Sequence, residues 1–452
     1  MRIGIIGAGI SGLTLAYELQ KRGVDYHLWE ASAEPGGYIR SRRELVGNAS
    51  YLRELGPNSL LGGDELLAWI DELGLTSELL FANPVSKARF VYRNGHYRAL
   101  PSGPPSLLGG TFFSWRTKWA IVRELFNKTR STGSETLGQF FRRRFSDELV
   151  DYALAPFVSG IYAGDPDQLL VSETFPMLLA YERDYGSVLK GLIKNQSAAG
   201  RRQSFSFRDG MQTLPGALAA RLTKLSLNDP VSQLTRTSNG WRVTSVQGIT
   251  EVDQLVLAVG ADAAARLVAP YYDGLAQALQ AVRYPPMTAV HSAYKRVDVQ
   301  HPLNGFGGLN PAVEKRFAAG HIWSSSVFGT GPESGRCPAD EVLFTSFVGG
   351  MTAADNARQP DEVIFRNIHQ ELTRSFGIRA SEPVFRAIYR WDRAIPQYDG
   401  QIVAVQQQVA AVKADKLLVC ANWYGGLSLA DCLKKARNLA EEIGAKSLIN
   451  NF

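Results

Sequence analysis

The chain has 452 residues, 45% hydrophobic, 20% charged and 10% aromatic, which excludes disorder or a fibrous repeat as the overall state and suggests two or three domains. Its net charge is +6, and its three cysteines, Cys337, Cys420 and Cys432, form neither a disulfide framework nor a CxxC pair, which fits a reducing compartment. No run approaches eighteen uninterrupted apolar residues, and the first apolar run lacks a signal-peptide cleavage site; a cytoplasmic protein is expected, with attachment to a membrane surface left open.

Taken in chain order, Arg2 to Ile6 predicts a strand, Gly7 to Gly12 a glycine-rich turn and Leu13 to Arg22 a helix that Gly23 ends; Tyr26 to Trp29 predicts a second strand closing on Glu30. Gly7, Gly9 and Gly12 form GxGxxG between strand and helix. The first glycine permits the tight turn, the second lets backbone approach a pyrophosphate, and the third lets helix and strand pack closely. Glu30 is placed to accept both ribose hydroxyls and to repel a 2′-phosphate. A second diglycine, Gly36-Gly37, followed by Tyr38 and Arg40, would lie along an extended cofactor, which favours FAD over NAD.

Residues Tyr92 to Gln203 read as mostly helical, basic and aromatic. Between Arg93 and Arg144 ten Lys/Arg face two acidic residues, so this stretch carries +8 and the rest of the chain −2. Tyr97, Phe112, Phe113, Trp115, Trp119, Phe126, Phe140 and Phe141 are interleaved with the charge, a pattern suited either to an ordinary helical core with solvated charges or to an anionic membrane surface. Without a recognisable reading module, nucleic acid is not an expected partner. Leu255 to Val259 predicts a third buried strand, and Thr288 to Tyr294 and Val342 to Val348 predict a further sheet. Lys416 to Cys420 repeats the strand-to-glycine pattern, leading through Gly425 and Gly426 into an amphipathic helix whose start, Leu427 to Leu429, could stabilise negative charge on a reduced flavin.

The expected fold class is α/β: a discontinuous Rossmann-type FAD-binding domain (1–85, 207–275 and 384–452), a β-sheet substrate domain (86–92 and 276–383) and a helical insertion (93–206) as candidate membrane-surface element.

The stretch Pro156 to Leu169 (PFVSGIYAGDPDQL), with ELGPNSL at Glu54 to Leu60, FRDGMQTL at Phe207 to Leu214, IPQY at Ile395 to Tyr398 and LSLADC at Leu427 to Cys432, resembles the FAD-dependent protoporphyrinogen oxidases and their coproporphyrinogen-oxidising relatives, within the amine oxidase and phytoene desaturase superfamily. The resemblance implies a porphyrinogen losing six hydrogens beside FAD, hydride passing to flavin N5 and molecular oxygen as final acceptor, with no catalytic side chain required beyond placement and shielding. It implies flavin contacts at Gly7, Ala8, Gly9, Ile10, Ser11, Gly12, Glu30, Ala31, Tyr38, Gly56, Pro57, Asn58, Ser59, Val231, Leu427, Ser428 and Leu429. It implies Arg89 as partner of a substrate propionate, and Phe306, Leu309 and Phe347 as residues sandwiching a pyrrole ring. A homodimer is left open, and no metal is expected.

The last motif departs from the family pattern: Ala421 stands where glycine usually precedes Asn422, Ala430 precedes Asp431-Cys432, and Lys435-Ala436 replaces Ser-Gly. Alternative readings are an amine oxidase or carotenoid-desaturase relative, with Trp423 and Tyr424 flanking the flavin as a cage, and a flavin-free porphyrin carrier.

Overall fold

The computed structural model describes residues 1–195, 202–331 and 335–449; residues 196–201 of the expected helical insertion lie outside the described residues. A five-stranded parallel sheet gathers both ends and the middle of the chain, in the order Leu225–Ser226, Asp25–Trp29, Arg2–Ile6, Gln254–Leu257, Leu417–Val419. Alternation splits its side chains between two cores. Ile3, Ile5, Leu28 and Val256 pack with Ile10–Lys21 and Leu429–Ile449 on one face, while Ile6, Trp29, Leu255 and Leu257 pack with Ala261–Val268, Asp273–Gln280 and Gly400–Val412 on the other. The first and last long helices lie together, and Ala436 is fully buried between them.

The second sheet has seven strands, in the order Phe385–Trp391, Met287–Lys295, Glu341–Gly349, Gly320–Ile322, Gly307–Leu309, Phe90–Arg93, His96–Ala99. Val290, Tyr294, Phe344 and Val348 point to one side and bury the apolar stripe of Asp361–Phe376. The opposite side carries Ala289, His291, Thr345 and Phe347.

Three expected boundaries shift. Phe385–Trp391 pairs with Met287–Lys295, so the sheet reaches past 383; its alternating pattern announces a strand but not the sheet that it joins. His96–Ala99 belongs to the sheet rather than to the helical insertion. Asn94 and Gly95, with φ of 52° and 92°, form the two-residue reversal that an Asn-Gly pair between strands signals. Gln203–Phe207 pairs with Leu60–Gly62 and Leu79–Phe81, so the chain leaves the insertion by 203.

Helices dominate the insertion, among them Trp115–Glu124, Leu137–Arg144, Ala155–Tyr162, Pro176–Tyr185 and Val188–Lys194. Its aromatics divide. Phe112, Phe113 and Phe140 are core, whereas Trp115, Trp119 and Phe126 are 77%, 67% and 75% exposed.

Candidate functional site

The first turn is built to receive an anion. A Cβ on Gly12 would overlap the Gly7 carbonyl oxygen, whereas a Cβ on Gly9 would meet open space. Helix Ile10–Lys21 has no side-chain cap, and the N–H groups of Ser11 and Gly12 have no acceptor among the described residues. Unpaired first-turn donors at the positive end of a twelve-residue helix suit a pyrophosphate. Ala8 donates its N–H to Glu30 Oε2 at 2.7 Å, and Ser32 donates N–H and hydroxyl to Glu30 Oε1 at 2.9 and 2.6 Å. The Glu30 carboxylate is thereby held at the strand tip with lone pairs to spare for ribose hydroxyls. Asp229 and Asn228 donate backbone N–H groups to the carbonyls of Glu30 and Ser32, bringing the start of Val231–Arg236 beside that tip; Ala31 is exposed there.

From this end the expected flavin contacts run in one direction. Gly36 donates to the Ala8 carbonyl at 2.8 Å. Leu55 donates to the Arg40 carbonyl at 2.9 Å, and a Cβ on Gly56 would overlap the Tyr38 carbonyl, so the Gly56-Pro57-Asn58-Ser59 turn lies along the Tyr38 segment. Tyr38 packs on Trp391, whose indole donates to the Leu55 carbonyl at 2.7 Å, and Arg40 lies over the same indole.

At the far end, Ser428 caps helix Leu429–Ile449. Its hydroxyl donates to Asp431 at 2.6 Å and accepts the Asp431 N–H at 3.1 Å. Ala421 does not have a positive φ, so its methyl group strains nothing; left-handed backbone falls instead on Gly425 and Gly426. Trp423 is fully buried and donates to the Val259 carbonyl at 2.8 Å. An exposed Trp423-Tyr424 cage, the arrangement expected under the amine oxidase alternative, is therefore not formed.

The expected substrate contacts share one side of the second sheet. Alternation puts Arg89 and Val91 opposite Phe90, whose ring packs on Trp323. Val91 aligns with Leu309, Leu309 with Gly320, Gly320 with Phe347 and Phe347 with Ala289, giving a row across five strands. The Arg89 guanidinium lies 3.8 Å from the centroid of Phe306 and has no carboxylate within 4.0 Å among the described residues. The stretch Pro156 to Leu169 closes over this row. Gly160 faces Leu309, where a Cβ would come within 3.2 Å of its side chain, and Ala163 packs with Phe347 and Ile395. Ala163 holds φ at 48° and accepts the Met351 N–H at 2.8 Å, a strained residue kept in place by the turn that follows strand Glu341–Gly349.

Two residues that the sequence reading did not name as contacts join these parts. Buried Tyr398 donates its hydroxyl to the Asn422 carbonyl at 2.8 Å and accepts the Gly426 N–H at 2.9 Å, tying IPQY to the last motif. Gln397 donates to the Tyr162 carbonyl at 2.8 Å. The family stretch IPQY contains both and was the signal for them, although it assigned neither a contact.

His291, on the same side of the sheet, has Nε2 3.1 Å from the Glu54 carbonyl and an unpartnered, buried Nδ1. Burial, reinforced by Arg53, pushes its pKa down to about 3. The unfolded chain takes this proton near pH 6.5, so the stability His291 contributes is complete above that pH and is lost as pH falls toward about 3. Urea unfolding at pH 7.5 and 5 is expected to show a smaller acid loss in His291→Gln than in the unaltered protein; equal losses would refute this.

The family described as flavin containing amine oxidoreductase matches residues 10–444. The mitochondrial protoporphyrinogen oxidase of Nicotiana tabacum is 30% identical over 97% of this chain and 94% of its own length. Protoporphyrinogen oxidase 2 of Arabidopsis thaliana, chloroplastic/mitochondrial, is 29% identical over 97% of this chain and 93% of its own. A crystal structure of a provisionally assigned protoporphyrinogen oxidase from Exiguobacterium sp. 255-15 superposes with a TM-score of 0.81 at 24% identity, over 98% of this chain and 99% of that one. Fold, cofactor cradle and comparisons converge: the chain belongs to the flavin-containing amine oxidoreductase family, on the branch that includes the protoporphyrinogen oxidases, and is an FAD-dependent oxidoreductase.

Proposed function

We propose that this enzyme oxidises a porphyrinogen to the corresponding porphyrin, with oxygen returning the flavin to its oxidised form. The observation that carries the reading is Leu309 and Phe347 on one side of the sheet, an apolar surface roofed by Ala155–Tyr162, with the Arg89 guanidinium, which has no carboxylate within 4.0 Å among the described residues, over Phe306 beside it. A flat macrocycle with carboxylate arms matches an aromatic and aliphatic floor with a cation at its rim. FAD supplies hydride acceptance when bound. The chain's own part is to hold the macrocycle, through Phe306, Leu309 and Phe347, and to anchor a propionate at Arg89.

The anchoring interaction is present equally in ground and transition states, so Arg89→Ala is expected to raise KM at least tenfold while changing kcat less than about threefold. Steady-state kinetics with protoporphyrinogen and coproporphyrinogen in parallel test both the role and the substrate: two propionates or four. An unchanged KM would retire Arg89. Turnover of neither porphyrinogen by flavin-replete protein would overturn the reading.

The insertion is the part proposed to meet a membrane surface. Trp115 and Trp119 lie one turn apart on one helix face, and Lys190 stands 5.8 Å from the Phe126 ring, which places 67%-exposed Ile193 near the same patch. Arg116, Arg123, Lys128 and Arg130 have no acidic partner within 4.0 Å among the described residues, and they can meet anionic head groups. Sedimentation with anionic vesicles is expected to weaken with salt and to be abolished by the Trp115→Ser/Trp119→Ser/Phe126→Ser variant. Indifference to lipid charge would remove the electrostatic component.

A further inference from the structure

Lys435 replaces a small residue of the family pattern, and its side chain does something no sequence motif announces. It leaves helix Leu429–Ile449 seven residues after the Ser428 cap and runs back toward the helix N-terminus, the direction in which helical side chains lean. Its stem passes Gly425, where a Cβ would lie 3.2 Å from Lys435 Cδ. The ammonium ends among three carbonyls. It donates to Ala421 at 2.7 Å, to Gly426 at 2.7 Å and to Tyr424. Its three donors are thus all used, and on neutral oxygens: no carboxylate lies within 4.0 Å among the described residues. Burial lowers its pKa from the ordinary lysine value, and the nearby Asp431 carboxylate opposes that shift only in part.

The consequence for the loop is geometric. In a trans peptide the N–H points opposite to the C=O. With the carbonyls of Ala421, Tyr424 and Gly426 turned toward Lys435, the N–H groups of Asn422, Gly425 and Leu427 turn away from it. None of the three has an acceptor among the described residues. One side of the loop is occupied by the cation, and the other is a row of unused donors at the start of the helix assigned to the flavin.

We propose that Lys435 is the positioning residue of this loop: its ammonium fixes the three carbonyls, aims the opposite N–H groups at the pyrimidine edge of FAD, and adds a positive charge, not in contact with any carboxylate among the described residues, that favours the reduced, anionic ring. The chain thereby makes good the altered last motif with a cation in place of small residues. The proposal rests on FAD being the cofactor but not on the porphyrinogen reading, because it concerns the flavin's own equilibrium.

The test is reductive titration of purified holoprotein against a reference dye, with Lys435→Met, Lys435→Gln and Lys435→Arg beside the unaltered chain. Lys435→Met is expected to shift the two-electron reduction equilibrium at least tenfold toward oxidised flavin, about 30 mV. Lys435→Gln, which keeps two donors without charge, should shift it the same way. Lys435→Arg should stay within threefold of the unaltered protein. If the neutral variants release FAD and the arginine variant retains it, the proposal also stands. Unaltered reduction equilibrium in Met and Gln holoproteins overturns it, as does equal loss of flavin from all three variants. Failure of the unaltered protein to take up FAD would instead defeat the cofactor assignment itself.

Discussion

Gly12→Ala is expected to purify colourless and to bind added FAD at least 100-fold more weakly than the unaltered chain, a loss of roughly 3 kcal/mol. A Cβ at position 12 would occupy the space of the Gly7 carbonyl oxygen, so helix Ile10–Lys21 would have to withdraw from the strand end or the turn would have to open. Neither is easy. Gly7 already holds φ at 103°, and a Cβ there would lie 2.7 Å from the Ala258 carbonyl oxygen of the adjacent strand's exit. Either movement displaces the unpaired N–H groups of Ser11 and Gly12 from a pyrophosphate, and overpacking at such a crossing also costs about 1–3 kcal/mol of fold stability. Gly9→Ala is the informative companion. Its added methyl group meets no protein atom within 4 Å, so the variant should keep full stability and lose FAD affinity only because the ligand needs that space. The ratio of flavin to protein absorbance, followed by titration of apoprotein with FAD, reads both. A yellow, stoichiometric Gly12→Ala protein would mean that the phosphates do not sit on this helix end.

Arg144→Met is expected to cost about 3–5 kcal/mol of unfolding free energy, because it leaves buried carboxylates uncompensated. Arg144 is fully buried between Glu124 and Glu182, 3.2 Å from each, and also donates to the Gly186 carbonyl at 3.1 Å. Glu124 would keep its hydrogen bonds from Ser187, Val188 and Leu189, but lose the positive charge that balances it. Among the described residues Glu182 would retain only Arg143 as a cationic partner. Urea denaturation measures the loss, and Glu124→Gln in the same chain should recover part of it, since the two sites share one interaction. A loss below about 1 kcal/mol would show that the triad contributes packing rather than charge balance.

That triad also explains why the basic insertion reads differently in sequence and in space. Arg142, Arg143 and Arg144 look like a surface run suited to an anion. Folding sends Arg142 to Asp167, Arg143 to Glu135 and Glu182, and Arg144 into the interior. Arg93 is similarly taken by Glu148 at 2.6 Å. The charge available to a membrane is therefore smaller than the count of basic residues in the stretch, and it sits with Trp115, Trp119 and Phe126 rather than with the arginine triplet.

Sequence by itself determined the features that depend on neighbours along the chain. GxGxxG between a strand and a helix, Glu30 at the next strand tip, and strand-glycine-helix order at the far end are local patterns, and their spacing alone specifies a parallel sheet with a dinucleotide cradle. The family resemblance likewise brought Arg89, Phe306, Leu309 and Phe347 forward as candidates, although none lies in the stretches that carry it. Only the tertiary structure decided what depends on distant partners: that Phe385–Trp391 and His96–Ala99 complete the second sheet, that Trp423 is core rather than cage, and that Lys435 reaches back to three carbonyls. Periodicity reports which side of an element is apolar, whereas strand order, buried charge pairs and long side-chain reaches are set by contacts between residues tens to hundreds of positions apart, on which no local pattern bears.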